Sequence, residues 1–127
     1  MEHMAQFSAG DLQVLDQTDE VDIETQRSNG RERRTIIWVV TSGGQAYIRS
    51  VRGPSGLWYR AVAHGGEARL VAGSHRWPIR TSPVSDAAEI EQVSQAISRK
   101  YQDRWPGPTA AMLRPEVLPT TLRVEPA

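Results

Sequence analysis

The stretch TIIWVVTSGGQAYIRSVRGPSGLWYRAVA, residues 35–63, is the longest apolar region of this 127-residue chain. Residues 35–41 are β-branched or aromatic almost throughout and apolar on both faces, which predicts a strand with no face open to water. One face would fill a core, and the other would meet a helix or a second subunit. The turn SGGQ at 42–45 predicts that residues 46–51 return as the paired strand of a hairpin.

Short strands joined by turns predominate in the rest of the chain. Alternating or β-branched patterns predict further strands at 20–27, 67–72, 77–81 and 120–124. Apolar stripes predict short helices within 8–19 and 57–64. Residues 31–34 are expected to form a charged loop, and residues 109–119 to be mostly irregular. About six strands with hairpin turns favour an antiparallel barrel or an α+β sheet over a parallel βαβ fold.

One long helix is predicted in the C-terminal third of the chain. Asp86 can cap its first turn, with Glu89 three residues further on. Its apolar face recurs at i, i+3, i+7 and i+11, in Ile90, Val93, Ile97 and Tyr101. Pro106 is expected to stop this helix, and Pro78 predicts that the strand at 77–81 lies at a sheet edge or a bulge.

The composition bounds the class of protein. There is no cysteine, which excludes disulfides, thiolate metal sites and cysteine nucleophiles. Fifteen basic residues balance fifteen acidic ones, so no global field favours nucleic acid or anionic lipid as a partner. No transmembrane run or secretory signal is visible, and a cytoplasmic location is expected. The length suits a single domain over 1–127, with 1–7 as a flexible tail.

Common catalytic and metal-binding motifs are absent. His3, His64 and His75 have no partner at a recognised ligand spacing, so no metal site is expected. There is no G-x-S-x-G nucleophile elbow, no G-x-G-x-x-G dinucleotide loop and no Walker phosphate loop. No catalytic residue can therefore be named from motifs.

The remaining candidate is an anion site within YIRSVRGPSGLWYR, residues 47–60. Ser50 and Arg52 share one strand face, so both side chains can point into the space beyond the end of the strand. Gly53 leaves the backbone approachable, and the short helix that follows would add oriented N–H donors. This combination suits a phosphate monoester, and the adjacent Trp58 could cover an aromatic ring.

A purely structural interpretation of the same residues stays open. Arg49, Arg52 and Arg60 would then form surface ion pairs with the chain's many carboxylates, and Trp58 would belong to the core. Arg is abundant here, with 14 residues against a single Lys, and its planar fork suits phosphate. A genomic base composition that favours Arg codons explains the same excess.

The order of TIIWVV, AYIRSVRGPSGLWYRAV, a helix ending in ISRKY, and TTLRVEP resembles a bacterial family known as domain of unknown function 2255, over residues 8–126. That family is similar to the FMN-binding split β-barrel superfamily, which includes pyridoxamine-phosphate oxidases and deazaflavin-dependent nitroreductases. The resemblance implies a mainly β protein, a six-stranded antiparallel split barrel with flanking helices and one long C-terminal helix. It also implies a homodimer.

The resemblance further implies an oxidoreductase-like protein that binds FMN or the deazaflavin F420 at the dimer interface. In split barrels the flavin phosphate is typically held by Arg or Lys, with Ser or Thr, on adjoining strands and the turn after one of them. Carried over by position, the cofactor-binding residues would be Arg34, Thr35, Arg49, Ser50, Arg52, Trp58 and Arg60.

Two other functions stay open. The Ser-Arg-Lys phosphate signature of the oxidases is missing, since Arg52 is followed by Gly53 and Pro54, and residues 31–34 lack the small residues of the deazaflavin signature. A non-enzymatic dimeric barrel that has lost the cofactor and binds a small anion or a protein is therefore an alternative. Nucleic-acid binding has only the abundance of Arg in its favour, and the zero net charge opposes it.

Overall fold

The computed structural model describes residues 6–26, 29–63 and 65–127. Within these residues a curled antiparallel sheet of seven strands forms a half-barrel with flanking helices. The strands are β1 (Val21–Gln26), β2 (Glu32–Ile37), β3 (Val40–Ser42), β4 (Gln45–Ile48), β5 (Ala68–Ala72), β6 (His75–Pro83) and β7 (Leu122–Pro126). The helices are α1 (Ala9–Gln17), α2 (Leu57–Val62), α3 (Ala87–Tyr101) and α4 (Pro106–Met112), with short 3-10 helices at Gly53–Ser55 and Leu118–Thr120.

The strand order explains why the sheet curls. The order is β2-β1-β5-β6-β7-β4-β3, and each neighbouring pair is antiparallel. The two edge strands, β2 and β3, are consecutive in the chain and are separated only by Trp38 and Val39. Because consecutive Cα atoms lie about 3.8 Å apart, so short a link draws the two edges of the sheet together. Trp38 and Val39 are called the seam below.

The mainly β, antiparallel fold is confirmed, but the described residues form seven strands and not the six expected. The single strand predicted at 35–41 is two strands, because β2 ends at Ile37 and β3 begins at Val40. β2 also begins earlier than expected, at Glu32, so most of the predicted loop at 31–34 is strand. Charged residues are tolerated there because the outer face of β2 is exposed and pairs its charges with those of β1.

The first apolar cluster fills the inside of the curled sheet. Ile23, Leu70 and Leu122 of the strands are fully buried there, together with Leu15 of α1 and Val62 of α2. Full burial of a side chain of this size contributes roughly 1.5–3 kcal/mol relative to exposure. The two short helices are therefore held by the same core as the strands.

The second apolar cluster lies on the outer face of β3 and β4. Val93 and Ile97 of α3 pack there against Val40 and Tyr47. The prediction that the segment 35–41 is covered on both faces is confirmed at β3, where a helix covers the outer face. At β2 no helix covers the outer face, and Ile36 is 64% exposed in the single chain, so the alternative that a second subunit covers it stays a prediction.

The long helix is confirmed as α3, and the Asp86 side chain accepts a hydrogen bond from the backbone N–H of Glu89 at 2.9 Å. It is not the C-terminal element, however, because α4 and β7 follow it. α4 begins at Pro106, which was expected only to end α3. A proline at the first helical position costs no hydrogen bond and already has a helical φ angle, so the prediction of irregular structure is wrong over 109–112.

Pro78 does not lie on an edge strand, because β6 pairs with both β5 and β7. The ladder with β7 begins only at Ile79, and the Pro78 carbonyl accepts a hydrogen bond from the backbone N–H of Ala127 at 2.9 Å. Backbone nitrogen and oxygen of one strand residue point the same way, so the missing N–H of Pro78 faces away from β5. The proline therefore costs the β5–β6 ladder nothing.

The N-terminal segment differs from the expected tail at Phe7. This side chain is buried, and its ring lies edge-on to that of Trp77 with 5.8 Å between centroids. Residues 1–5 and residue 64 lie outside the described ranges, so the structure does not test the rest of the tail or the end of the helix predicted at 57–64. None of the described helices is both long and apolar enough to cross a membrane.

Candidate functional site

A cleft of about 630 Å³ opens beside the seam, within the size range of small-molecule sites. One wall is formed by β2 and the seam, the second by the loop that follows β4, and the third by α4 with the residue before it. The polar side chains that line it are Glu20, Arg33, Thr35, Arg49, Ser50 and Arg52. The cleft exists because the curled sheet brings its two edges together at this point.

Five of the seven nominated residues line this cleft, and two do not. Thr35, Arg49, Ser50, Arg52 and Trp58 lie in its walls. Arg60 is exposed on α2, outside the cleft lining, and Arg34 is also outside it. The structure thus brings part of the segment from 49 to 58 and the start of the segment at 35 to the same cleft.

Arg34 is directed away from the cleft by the pleat of β2. Successive side chains of a strand point to opposite faces, so Thr35 faces the cleft and Arg34 faces outward. The Arg34 guanidinium binds the carboxylate of Glu24, which also accepts a hydrogen bond from Arg69 Nε at 3.1 Å. These bonds, with Arg34 as the largest contributor, lower the pKa of the buried Glu24 carboxyl. Arg33 takes the inward position instead.

Arg49 lies at the base of the cleft and is 1% exposed. Its Nε donates to the Thr121 hydroxyl at 2.9 Å, and its Nη1 donates to the Ser94 hydroxyl and the Met112 carbonyl, each at 3.0 Å. Its Nη2 donates to the Ile90 carbonyl at 3.2 Å. Four of the five guanidinium N–H groups are therefore committed to neutral acceptors of the protein itself.

No carboxylate of the described residues forms an ion pair with Arg49, and the Coulombic effect of Glu91 opposes the burial of its charge only in part. Burial lowers the pKa of Arg49 to about 10, which leaves the group charged at neutral pH. An uncompensated buried charge is costly unless something nearby balances it. The base of the cleft is therefore electropositive.

Ser50 shapes the loop that forms the second wall. Its hydroxyl donates to the Gly53 carbonyl at 2.8 Å, and its backbone N–H donates to the Thr120 hydroxyl at 3.0 Å. Gly53 has φ of +66°, a conformation that favours glycine. A Cβ added to Gly56 would lie 2.4 Å from the Ser50 Oγ, so this position has no room for a side chain.

Arg33 and Arg52 are the cationic side chains of the cleft that stay available. Neither forms an ion pair with any carboxylate in the part of the chain that the structure describes. Arg33 is half-buried and Arg52 is exposed. Both can therefore turn toward an anion in the cleft without breaking an existing ion pair.

Aromatic side chains form the wall near the seam. Trp38 stacks on Tyr101 with 3.8 Å between ring centroids and 9° between ring planes. Trp105 lies 6.1 Å from both rings, and the Arg104 guanidinium lies 4.5 Å above it. Trp38 and Trp105 line the cleft. Trp58 is 6% exposed and packs in the interior core, as the structural interpretation expected, and it also lines the cleft.

Sequence reasoning missed Arg33, Trp38 and Trp105. A strand beginning at Glu32 would have placed Arg33 on the same face as Thr35, but the charges of 31–34 suggested a loop. Trp38 lies with Val40 on the side that α3 covers, and its stack on Tyr101 joins residues that no local pattern relates. Trp105 is brought there by the link between α3 and α4, which no local pattern relates to the hairpin.

The rim of the cleft is apolar. Four large apolar side chains are well exposed among the described residues, and all four line this cleft: Ile36 at 64%, Leu57 at 55%, Val51 at 46% and Trp105 at 36%. Exposed apolar groups gathered at one place mark a binding or contact surface. Among the described residues, no group of acidic and histidine side chains is arranged to hold a metal ion.

The fold and cleft define a half-barrel protein with an electropositive, aromatic-lined pocket at its seam. The sequence matches the family described as uncharacterized protein conserved in bacteria (DUF2255) over residues 11–124, and the chain belongs to that family. This confirms the family resemblance drawn from the sequence motifs. A search of curated proteins finds no match.

Solved structures share this fold. Campylobacter jejuni ChuZ superposes with a TM-score of 0.68 at 10% identity over 92% of this chain, which spans only 50% of the ChuZ chain. A putative pyridoxamine 5'-phosphate oxidase from Listeria innocua gives 0.61 at 12% identity, covering 93% of this chain and 90% of the other. An F420-H2 dependent reductase, FDR-A, gives 0.60 at 14% identity, covering 84% and 94%. At such identities the likeness establishes the split-barrel fold alone.

Proposed function

We propose that this protein binds a flavin or deazaflavin, FMN or F420, in the cleft at the seam and acts as an oxidoreductase. The observation that carries the proposal is that one cleft combines available guanidinium groups with an exposed aromatic wall. The names of the Listeria and F420-dependent neighbours agree with a cofactor of this type. A cytoplasmic location is part of the same proposal.

The polar side of the cleft suits a phosphate. Arg33 and Arg52 can each form charge-assisted hydrogen bonds to its oxygens, because neither is held by a carboxylate among the described residues. Arg49 would act differently from the role first assigned to it. Since only one of its N–H groups is uncommitted, it would contribute mainly its buried charge.

The aromatic side of the cleft suits a planar ring. Trp105 is partly exposed, and Trp38 is fixed in place by its stack on Tyr101. Offset stacking on such rings contributes about 0.5–1.5 kcal/mol beyond the area buried. The cofactor when bound would supply the hydride chemistry, whereas these residues would bind it, orient it and exclude water.

A second copy of the chain completes this proposal. Ile36, Val51, Leu57 and Trp105 surround the cleft and are exposed in the single chain. A homodimer that buries this rim would cover the ligand and remove the exposed apolar surface from water. We propose no nucleic-acid partner, because the charges balance over the chain.

The test is a titration of the purified protein with FMN and with F420, followed by absorbance and fluorescence. We expect saturable binding, and we expect Arg52→Ala to weaken it about tenfold, the effect of losing one charge-assisted hydrogen bond. Arg60→Ala is the matched control, because Arg60 is an exposed arginine outside the cleft lining, and it should leave the affinity unchanged. Equal losses in both variants, or no binding of either cofactor at micromolar concentration, would refute the proposal.

A non-enzymatic barrel that binds only a small anion is the second candidate. It is favoured by the internal hydrogen bonds of Arg49 and Ser50, which leave few donors for a large ligand. It would be supported if inorganic phosphate bound and were weakened by Arg52→Ala, while neither cofactor bound. The same titration series therefore distinguishes the two candidates.

A further inference from the structure

Lys100 occupies an unusual position at the end of α3. Its ammonium group donates to three backbone carbonyls: Leu15 at 3.0 Å, Thr18 at 2.8 Å and Val39 at 2.7 Å. An ammonium carries three hydrogens and accepts no bond, so all of its donors are used. Two acceptors come from the C-terminal end of α1, where carbonyls lack helical partners, and the third comes from the seam.

The Val39 backbone has no strand partner, because the ladders end at Ile37 and begin again at Val40. Its N–H donates to the Tyr101 hydroxyl at 3.3 Å. That hydroxyl has a single hydrogen, and its shorter contact is to the Asp19 carbonyl at 2.7 Å, compared with 3.1 Å to the Val39 carbonyl. Lys100 is therefore the main donor to the Val39 carbonyl.

The seam, whose Val39 backbone is bound by Lys100 and Tyr101, lies directly beside the cleft. Trp38 directly precedes Val39, stacks on Tyr101 and lines the cleft. Trp38 packs with Val40 on the side of the sheet that α3 covers, whereas Ile37 and Val39 belong to the interior core. No ladder bonds are formed at Trp38 and Val39, and the Val39 backbone is held instead by side chains from the last turn of α3.

We propose that Lys100 is a positioning residue: through the Val39 carbonyl it holds the Trp38 ring in the cleft wall and so sets the affinity for the ring of the ligand. The ligand part of this inference rests on the proposed function. An arginine could not replace Lys100, because its planar fork cannot direct three hydrogens at carbonyls converging on one nitrogen.

The same position makes the support sensitive to pH. Burial lowers the pKa of Lys100 to about 8, with Arg104 adding to the decrease while Asp16 and Asp19 oppose it. The Tyr101 ring is the other group against the ammonium, with 5.2 Å from Nζ to its centroid. A neutral amine has only two hydrogens for three carbonyls, so the hold on Val39 weakens as the pH rises through about 8.

The contribution of Lys100 to the free energy of unfolding changes with pH in the opposite direction to its hold on Val39. The folded pKa of Lys100 lies below the ordinary value of 10.5, so between about 8 and 10.5 the unfolded chain binds more protons. The contribution of this group to folding stability therefore increases as the pH rises through that window. Deprotonation of Lys100 by itself would therefore not unfold the protein above about pH 8.

The experiment uses the full-length protein without ligand and then with FMN. Near-ultraviolet circular dichroism, recorded from about pH 7 to about pH 9, follows the stacked Trp38–Tyr101 pair, and Trp38→Phe identifies its signal. We expect a transition near pH 8 in the wild type that is absent in Lys100→Met and is not restored in Lys100→Arg. At neutral pH, Lys100→Met should bind FMN about tenfold more weakly and inorganic phosphate equally well.

Arg99→Met is the matched control, because Arg99 is the neighbouring exposed cation on α3 and should change neither readout. An unchanged near-ultraviolet spectrum in Lys100→Met, or unchanged FMN affinity, would overturn the inference. If the wild type binds no cofactor, the proposed function fails, and the ligand-free transition still decides whether Lys100 holds Trp38. If Lys100→Met does not fold, the wild type and Trp38→Phe still test the inference. A transition near pH 8 in the wild type that is absent in Trp38→Phe supports it, and a transition that is the same in both overturns it.

Discussion

At the scale of single residues, the base of the cleft depends on two side chains that are almost fully enclosed, Arg49 and Ser50. Arg49 carries a buried charge that forms no ion pair with a described carboxylate, and the Ser50 hydroxyl holds the loop by its bond to the Gly53 carbonyl. Both were nominated from the sequence as direct ligands of a phosphate. Their hydrogen bonds indicate that they shape the base of the cleft, and in the proposed function Arg33 and Arg52 are the side chains that would contact the ligand.

Gly56→Ala should destabilise the protein by about 1–2 kcal/mol, because the new Cβ displaces the Ser50 hydroxyl from its buried bond. Gly107→Ala in α4 is the control, since nothing lies within 4 Å of the added Cβ, and it should stabilise by about 0.5–1 kcal/mol. Urea unfolding measures both changes. In a Ser50→Ala background, Gly56→Ala should lower the free energy of unfolding by less than it does in the wild type. If the effects of the two substitutions simply add, the added Cβ does not act through the Ser50 hydroxyl.

At the scale of elements, α3 supports the sheet from outside along its whole length. Near its start, Glu89 accepts hydrogen bonds from the Tyr47 hydroxyl at 2.6 Å and from Arg123 Nη2 at 2.6 Å, which ties the helix to β4 and β7. At its end, Lys100 and Tyr101 hold the seam. The start of α3 is thus tied to β4 and β7, and its end is tied to the seam beside the cleft.

Glu89→Gln should reduce the extent to which the free energy of unfolding falls at acid pH. The Tyr47 hydrogen bond, followed by that of Arg123, lowers the pKa of Glu89 below its ordinary value of 4.5. A carboxyl with a lowered folded pKa contributes stability that is present above its ordinary value and lost as the pH falls through the folded one. Urea midpoints at neutral pH and below the ordinary pKa should therefore differ less in Glu89→Gln than in the wild type. Glu67→Gln, at an exposed glutamate that forms no ion pair among the described residues, should behave as the wild type.

At the scale of the whole molecule, the apolar rim of the cleft is the surface that a second copy would cover. We expect light scattering to give about twice the 14.1 kDa of one chain. Ile36→Asp should shift this equilibrium toward the monomer, because a charge at the rim would be buried without a partner. Gln26→Glu, an exposed position on β1 outside the cleft lining, should not. A wild type that is monomeric at micromolar concentration would contradict the homodimer.

Local patterns were sufficient for much of the fold. The caps of α1 and α3 follow from Ser8 and Asp86, whose side chains bind the backbone N–H groups three residues later. The hairpin of β3 and β4 follows from the two glycines of its turn, which both adopt positive φ. These features depend on residues that are close in the chain, so the sequence alone indicates them.

The sequence by itself therefore determined an antiparallel β protein and its family, and it nominated the segment 49–58, part of which lines the cleft. Only the tertiary structure decided that β2 begins at Glu32, so that its pleat directs Arg33 into the cleft and Arg34 outward. It also decided that the strand at 35–41 is interrupted at the seam. The physical reason is that the Val39 backbone is satisfied by Lys100 and Tyr101, more than sixty positions away in the chain. No local pattern carries such a bond.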